Sequence, residues 1–368
     1  MTQRLRCLVL VAVFLALYGR SVSWEWLRMD DTVLLRDNPN LEHSWSAVRW
    51  ALTDVDFGRR WTPLLWLQAV LASGLGVVGF HVWTLFQGLL LSLAVWRLLA
   101  CFFTEEDAWL LSLVFVTSPL RCEIFNWAIG FVYCSTALLA VLAFLFHLRD
   151  QRVASWLCLI ASLLVYPQTA GMALLFAWWW RGSIYGPATL CFVGALFVVQ
   201  SVWRVQIGFI PLEPTFHTVA LVLPHYFVQH IVPLATMPIT PAGYYSLLYV
   251  GIVGFGLLVA RWPVFLIVVV LVMAPTLLAS VTESFWWGAR YATLFSIAGL
   301  CLIGFLQACK DDLTDGVRRL LAIVVCTQTL LTWQHVGFRS ERDAAARANA
   351  ESVVLYGEPV RFSLPYGD

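Results

Sequence analysis

Charge is scarce in this chain of 368 residues: only 12% are Asp, Glu, Lys or Arg, against 60% hydrophobic. That excludes an ordinary soluble domain, which could not cover so apolar a surface. The two signs nearly cancel, at a formal net charge of +1, so the sequence offers no basic face for nucleic acid. Nine cysteines and seven histidines include no CxxC pair and no His/Cys cluster at metal-ligand spacing, so no metal site is expected and any need for a divalent ion is left open. Most of the cysteines (Cys7, Cys101, Cys134, Cys158, Cys191, Cys301 and Cys326) stand within apolar runs and read as small buried hydrophobes.

What is abundant is apolar and aromatic. Nineteen Trp suit a chain that passes the lipid headgroup region many times, where amphipathic rings are favoured. The expected fold is therefore all-α, a polytopic membrane protein. The first apolar run, residues 7–22, follows Arg4 and Arg6; an uncleaved first span is preferred to a cleaved signal peptide, because cleavage would leave the acidic loop behind it at a free terminus. With the basic N-terminus inside, the first polar loop, 24–60, lies outside. In it Asn38-Pro39-Asn40 is turn chemistry, and Trp45, Val48 and Leu52 recur at the spacing of an interfacial helix. Residues 61–78, with Pro63, Gly74 and Gly76, read as an outer interfacial or re-entrant helix.

Further spans are expected at 79–103, 109–118, 127–148, 154–166, 169–180 and 187–207, with polar turns at Thr104-Glu105-Glu106-Asp107 and Arg149-Asp150-Gln151-Arg152 on the inner side. The stretch 219–234, with Pro224, His225 and His230, is the ambiguous one. If it stays outside, Arg261, Lys310, Arg318 and Arg319 all fall inside, as the positive-inside bias prefers. The remaining spans are then 244–260, 263–281, 290–308 and 317–336. This gives about eleven crossings in a transmembrane domain of residues 1–336, with a short polar external tail, 337–368.

The outer face of this arrangement collects polar groups from distant parts of the chain: Asp30, Asp31, His81, Glu123, Gln168, His225 and Arg290. Ionisable groups beside membrane spans mark functional sites by default. A carboxylate can take a proton, and an arginine can hold a phosphate through two parallel hydrogen bonds. Each also has a plainer reading: Glu123 can pair with Arg121, Arg290 can anchor at headgroups, and His81 can close a helix terminus.

Four stretches carry a resemblance. They are "WEWLRMDDTVLLRDNPNLEHSW", "WTPLLWLQAVLASGLGVVGFHVWTLFQGLL", "TSPLRCEIFNWAIG" and "ARYATLFSIAGLCLIGFL". In this order they resemble the membrane domain of GT-C glycosyltransferases of the protein O-mannosyltransferase kind, particularly the transmembrane and tetratricopeptide-repeat O-mannosyltransferases and their bacterial relatives. The resemblance implies a GT-C-like fold and transfer of a sugar, with inversion, from a polyprenyl-phosphate donor to an acceptor hydroxyl on the outer face of the membrane, a bacterial inner membrane being expected. It implies that Asp30 is the general base and that Asp31 orients it or the acceptor. Glu123 would fix sugar or acceptor and Arg290 would stabilise the leaving phosphate, with Tyr291, His81, Gln168 and His225 completing the donor and acceptor contacts. Membrane lipid, the lipid-linked sugar and an acceptor protein or glycan are the expected partners. The chain departs from the pattern at Ser118, Gln168 and Ala289, where relatives carry His, a charged pair and Glu, and no repeat array follows the last span. The alternative is a non-catalytic GT-C-like membrane protein, or a transporter of polar lipid or sugar headgroups.

Overall fold

In the computed structural model the described residues are 1–26, 31–42, 44–54, 61–118 and 121–206, with 318, 319, 322, 323, 325, 326, 328–330, 332 and 333 from a last helical stretch. Among these residues every regular element is helical and there is no strand. Three segments are long and apolar enough to cross a membrane: Gln3–Ser23, Gly76–Leu99 and Ala128–Leu148. The expected spans at 244–260, 263–281 and 290–308, the stretch 219–234 and the tail 337–368 lie outside the described residues.

The first helix, α1 (Gln3–Tyr18), starts at Thr2, whose hydroxyl accepts the Leu5 N–H at 3.4 Å. It runs alongside α5 (Glu105–Thr117), and two hydrogen bonds fix its direction: Trp109 Nε1 donates to the Arg6 carbonyl at 3.0 Å, and Tyr18 Oη donates to the Val116 carbonyl at 2.6 Å. The two helices are parallel, so the end at which α1 finishes, here called the upper end, also receives the end of α5. Between them in sequence come α2 (Trp45–Thr53), α3 (Pro63–Ser73) and the long α4 (Gly76–Leu99). At 24 residues α4 is about 36 Å long, enough to span a bilayer core. It descends from the upper end, and Gly88 makes room on it for two aromatic rings: a Cβ there would come within 2.8 Å of the Phe125 ring and 3.1 Å of Phe14. Phe14, Tyr18 and Phe125 form an aromatic cluster in that gap, with centroids 4.9–5.3 Å apart.

The short α6 (Arg121–Asn126) and a 3-10 turn, Ala128–Gly130, lead into α7 (Phe131–Leu148), which is buried along most of its length. Its partner α8 (Arg152–Val165) is antiparallel to it: Ser155 Oγ donates to the Ala143 carbonyl at 2.6 Å and Ser162 Oγ to the Thr136 carbonyl at 3.1 Å. Then α9 (Ala170–Trp179) descends and α10 (Tyr185–Gln206) rises from beside Trp156 and Trp180. The expected outer helix at 61–78 is the 11-residue α3, and the expected interfacial helix is α2. On α2 it is Ala47 and Ala51 that face the protein, while Trp45 is 82% exposed. Small residues let α2 approach its neighbour, with Val48 and Trp50 packed beside them, while Trp45 and Leu52 turn to the surroundings, as large residues on helices in lipid do.

Two readings are corrected. The polar run at 104–107 is a helix start and not a turn: Thr104 Oγ1 accepts the Asp107 N–H at 3.3 Å, and of the four residues Asp107 alone is buried, at 1% exposed. Its carboxylate receives Arg318, Nε at 2.7 Å and Nη2 at 3.2 Å. The cysteines are also not uniformly buried. Cys122 and Cys134 are, but Cys101, Cys191 and Cys326 are exposed, because an apolar helix face turned to lipid satisfies a thiol as well as a core does.

The last helical stretch runs parallel to α1 and α5. Arg318 meets Asp107 at the lower end, while at the upper end Thr332 Oγ1 donates to the Thr117 carbonyl at 2.6 Å and Arg20 donates to the Trp333 carbonyl at 3.2 Å. Arg318→Ala should strand the buried Asp107 carboxylate at a cost of about 1–3 kcal/mol, less than for a fully buried pair because Arg318 is itself a third exposed. Thermal unfolding in detergent would register this as a lowered midpoint, restored in part by adding Asp107→Asn; an unchanged midpoint for Arg318→Ala would remove the clamp from the fold.

Candidate functional site

The upper end carries the polar residues of interest, and its centre is the irregular segment between α6 and α7. A broken helix inside an apolar bundle exposes backbone N–H and C=O groups that must find partners within the protein. Thr84 on α4 supplies two: its hydroxyl donates to the Ala128 carbonyl at 2.9 Å and accepts the Phe131 N–H at 3.1 Å. Asp31 supplies a third, since the Ile129 N–H donates to its Oδ1 at 3.1 Å. Gly130 is required here because a Cβ would run into the Ile124 carbonyl. The segment is thereby fixed between α4 and the first loop.

Asp31 opens a π-helical turn, Asp31–Arg36, and is fully buried. The turn ends at Asn38, whose Nδ2 donates to the Leu34 carbonyl at 3.2 Å and whose Oδ1 accepts the Asn40 N–H at 3.0 Å, the Asx turn expected at Asn38-Pro39-Asn40. Beyond it the charges are solvated. The hydrogen bond from Arg36 holds the Asp37 carboxyl below its usual pKa, in an exposed pair that takes no part in the site.

His81 lies one helical turn before Thr84 on α4 and is fully buried, with its ring bordering the Glu25 backbone. Neither ring nitrogen completes a hydrogen bond of good geometry. Glu123 is on α6 and Gln168 on the 3-10 turn Pro167–Thr169, both at the upper end; their backbones are described and their side chains are not. Asp30, His225, Arg290 and Tyr291 lie outside the described residues. The structure thus brings Asp31, His81 and the α6 backbone to one end of the bundle. Among the described residues no group of three or more His, Cys, Asp or Glu converges on a point that could hold a metal ion.

Two residues were not foreseen. Arg121, expected on the outer side as a pairing partner for Glu123, is fully buried, with its guanidinium 4.9 Å from the centre of the Phe115 ring. Burial lowers its pKa to about 10, so it remains a cation at neutral pH. Asn126, the last residue of α6, is also fully buried, and neither its amide nitrogen nor its amide oxygen has a hydrogen-bond partner. The signal for both lay in the sequence "TSPLRCEIFNWAIG": polar residues a few places apart in a segment too short and apolar to stand in water. Comparison with protein-family models, with curated proteins and with solved structures finds no match to this chain.

The stitching makes a graded prediction. Thr84→Val leaves the Ala128 carbonyl and Phe131 N–H without their partner, at about 1–3 kcal/mol for each group. Asp31→Asn keeps an acceptor for Ile129 and should be milder than Asp31→Ala, which removes it. Thermal midpoints ranked Asn above Ala at position 31, with Thr84→Val well below wild type, are the expected result; a Thr84→Val midpoint equal to wild type would show that the segment is held otherwise.

Proposed function

We propose that this protein is an integral membrane glycosyltransferase that moves a sugar, with inversion, from a polyprenyl-phosphate donor to an acceptor hydroxyl on the external face of a membrane. The observation that carries the reading is the buried carboxylate of Asp31, directly after Asp30, at the end of an apolar helical bundle where His81 and the backbone of Glu123 also lie. A carboxylate is not kept in such surroundings without a task, structural or chemical. Asp31 has a structural one, the Ile129 N–H. Its neighbour is then the group left for chemistry, with the loop that bears it positioned by Asp31.

In the proposed reaction the acceptor oxygen attacks the anomeric carbon as the bond to phosphate breaks. Asp30 takes the hydroxyl proton, and the polyprenyl phosphate leaves with the bonding electron pair. Arg290 would neutralise the phosphate as its charge develops, with Tyr291, Gln168, His225 and Glu123 around donor and acceptor. The chain is read as multi-pass in a bacterial inner membrane, with about eleven spans, the site and the C-terminus external. Support for this orientation comes from the last helical stretch running parallel to α1, which carries Arg4 and Arg6 in its first turns at the lower end.

One observation favours the second reading. The hydrogen bond from Ile129 to Asp31 is what a purely structural aspartate would make, in a non-catalytic GT-C-like protein or a transporter of polar lipid or sugar headgroups.

Labelled polyprenyl-phosphate hexoses given to membranes carrying matched amounts of each variant separate the two. Asp30→Asn, which removes the proton acceptor at constant size, should lower transfer on the order of 10²- to 10⁴-fold with donor affinity little changed. Arg290→Lys should stay impaired, since an ammonium cannot reproduce the planar fork. Equal transfer by wild type and Asp30→Asn would end the assignment of the base, and no transfer by wild type with any donor would favour the second reading. For orientation, a reporter fused after Asp368 should behave as external and one inserted at 310–315 as internal; the reverse would invert the site.

A further inference from the structure

Among the described residues the upper end contains a polar side chain, Asn126, that neither the fold nor the proposed reaction employs. Asn126 ends α6 and is fully buried, and both halves of its amide, the donating Nδ2 and the accepting Oδ1, lack a partner. Leaving such a group unpaired costs on the order of 1–3 kcal/mol, and an apolar residue would avoid that cost altogether. Its surroundings are otherwise economical with polarity. Two residues further on, the Ala128 carbonyl is met by Thr84, the Ile129 N–H by Asp31 and the Phe131 N–H again by Thr84. Three backbone groups of that turn are each met by a side chain, and the Gly130 N–H by the Trp127 carbonyl, while the adjacent amide is not met.

The chemistry of the missing partner follows from the pair of atoms left over. A phosphate offers acceptors only and would meet Nδ2 but repel Oδ1. A hydroxyl both donates and accepts, so one sugar hydroxyl, or two vicinal ones, can meet both halves of an amide. His81, one turn above Thr84, presents the same mixed character when neutral, one N–H and one bare nitrogen, in an equally buried position. The same segment is also held rigidly, which is what a selective hydrogen-bonding contact requires.

We infer that Asn126 is a sugar-binding residue, which holds the hydroxyls of the transferred hexose at the upper end of the bundle through both halves of its amide. This rests on the transfer reading given above, and it adds the part of the donor that this residue recognises. It also separates recognition in the site: cations serve the phosphate, and neutral amide and imidazole serve the sugar.

The test is ligand-induced thermal stabilisation of the full chain in a detergent without a sugar headgroup. The probes are polyprenyl phosphate, a panel of polyprenyl-phosphate glucose, mannose and galactose, and the free methyl hexosides. Wild type should be stabilised by the sugarless lipid and further by at least one sugar-bearing lipid. Asn126→Ala should keep the first shift and lose the further one, with affinity for the sugar-bearing lipid down about tenfold or more. Asn126→Ser is read in the same way if the alanine variant does not fold. An undiminished sugar-dependent shift in both variants, as expected if a buried water meets the amide, would overturn the inference and leave the transfer reading standing. A wild-type response to polyprenyl phosphate with nothing added by any sugar would do the same. Stabilisation by a methyl hexoside alone, lost in Asn126→Ala, would uphold the sugar contact while removing the lipid-phosphate donor. No shift with any probe would overturn both.

Discussion

The constraint on which the upper end depends is the need to satisfy backbone groups where a helix is broken inside an apolar bundle. Water cannot reach such groups, and each one left unmet costs several kcal/mol in hydrocarbon. Between α6 and α7 the solution is two side chains from distant parts of the sequence, Thr84 and Asp31, each placed against a particular carbonyl or N–H. That requirement fixes the first loop to α4 and to the start of α7 at once. It also explains why a carboxylate can be fully buried so near an apolar span: the fold supplies its hydrogen bond.

Charge is handled on the same principle elsewhere. Asp107 is buried at the start of α5, where the helix N-terminus favours a negative group, and Arg318 reaches it with two donors from 211 residues away. Arg121 at the opposite end is buried against an aromatic face. Few charges are present, and those inside the bundle are each tied to a specific neighbour. The consequence is register: α1, α5 and the last helical stretch are held parallel by polar contacts at both ends, where apolar packing alone would allow them to slide.

The long elements were legible because hydropathy and length decide them. Residues 7–22, 79–103 and 127–148 were expected as spans and correspond to Gln3–Ser23, Gly76–Leu99 and Ala128–Leu148. The helix at 45–53 was legible from the spacing of Trp45, Val48 and Leu52, but which face packs was not. In water that stripe would turn inward; here Ala47 and Ala51 are the buried residues, Val48 packs partly beside them, and Trp45 and Leu52 stay exposed, because surroundings as apolar as the side chains remove the drive to bury them. The partners of polar groups were the least legible part. Nothing in local spacing connects Asp107 to Arg318, or Asp31 to Ile129, because both pairs are made by the way the helices pack. The burial of Asn126 and Arg121 was hidden for a related reason: it is made by the packing of α6 against its neighbours, which local spacing does not encode.

Adjacent aspartates in a membrane protein invite the assumption that they share one role, yet one of them already has a structural task. Asp31 is committed to Ile129. A carboxylate fixed in that way is a poor base, because the proton it would accept competes with a hydrogen bond on which the fold draws; it is, however, a good anchor for whatever precedes it in the chain. Under the proposed reaction the second acid therefore holds the loop, and the role of base falls to the first. The sugar-binding role inferred for Asn126 fits the same division, since the Ile129 N–H that Asp31 holds lies three residues after that amide.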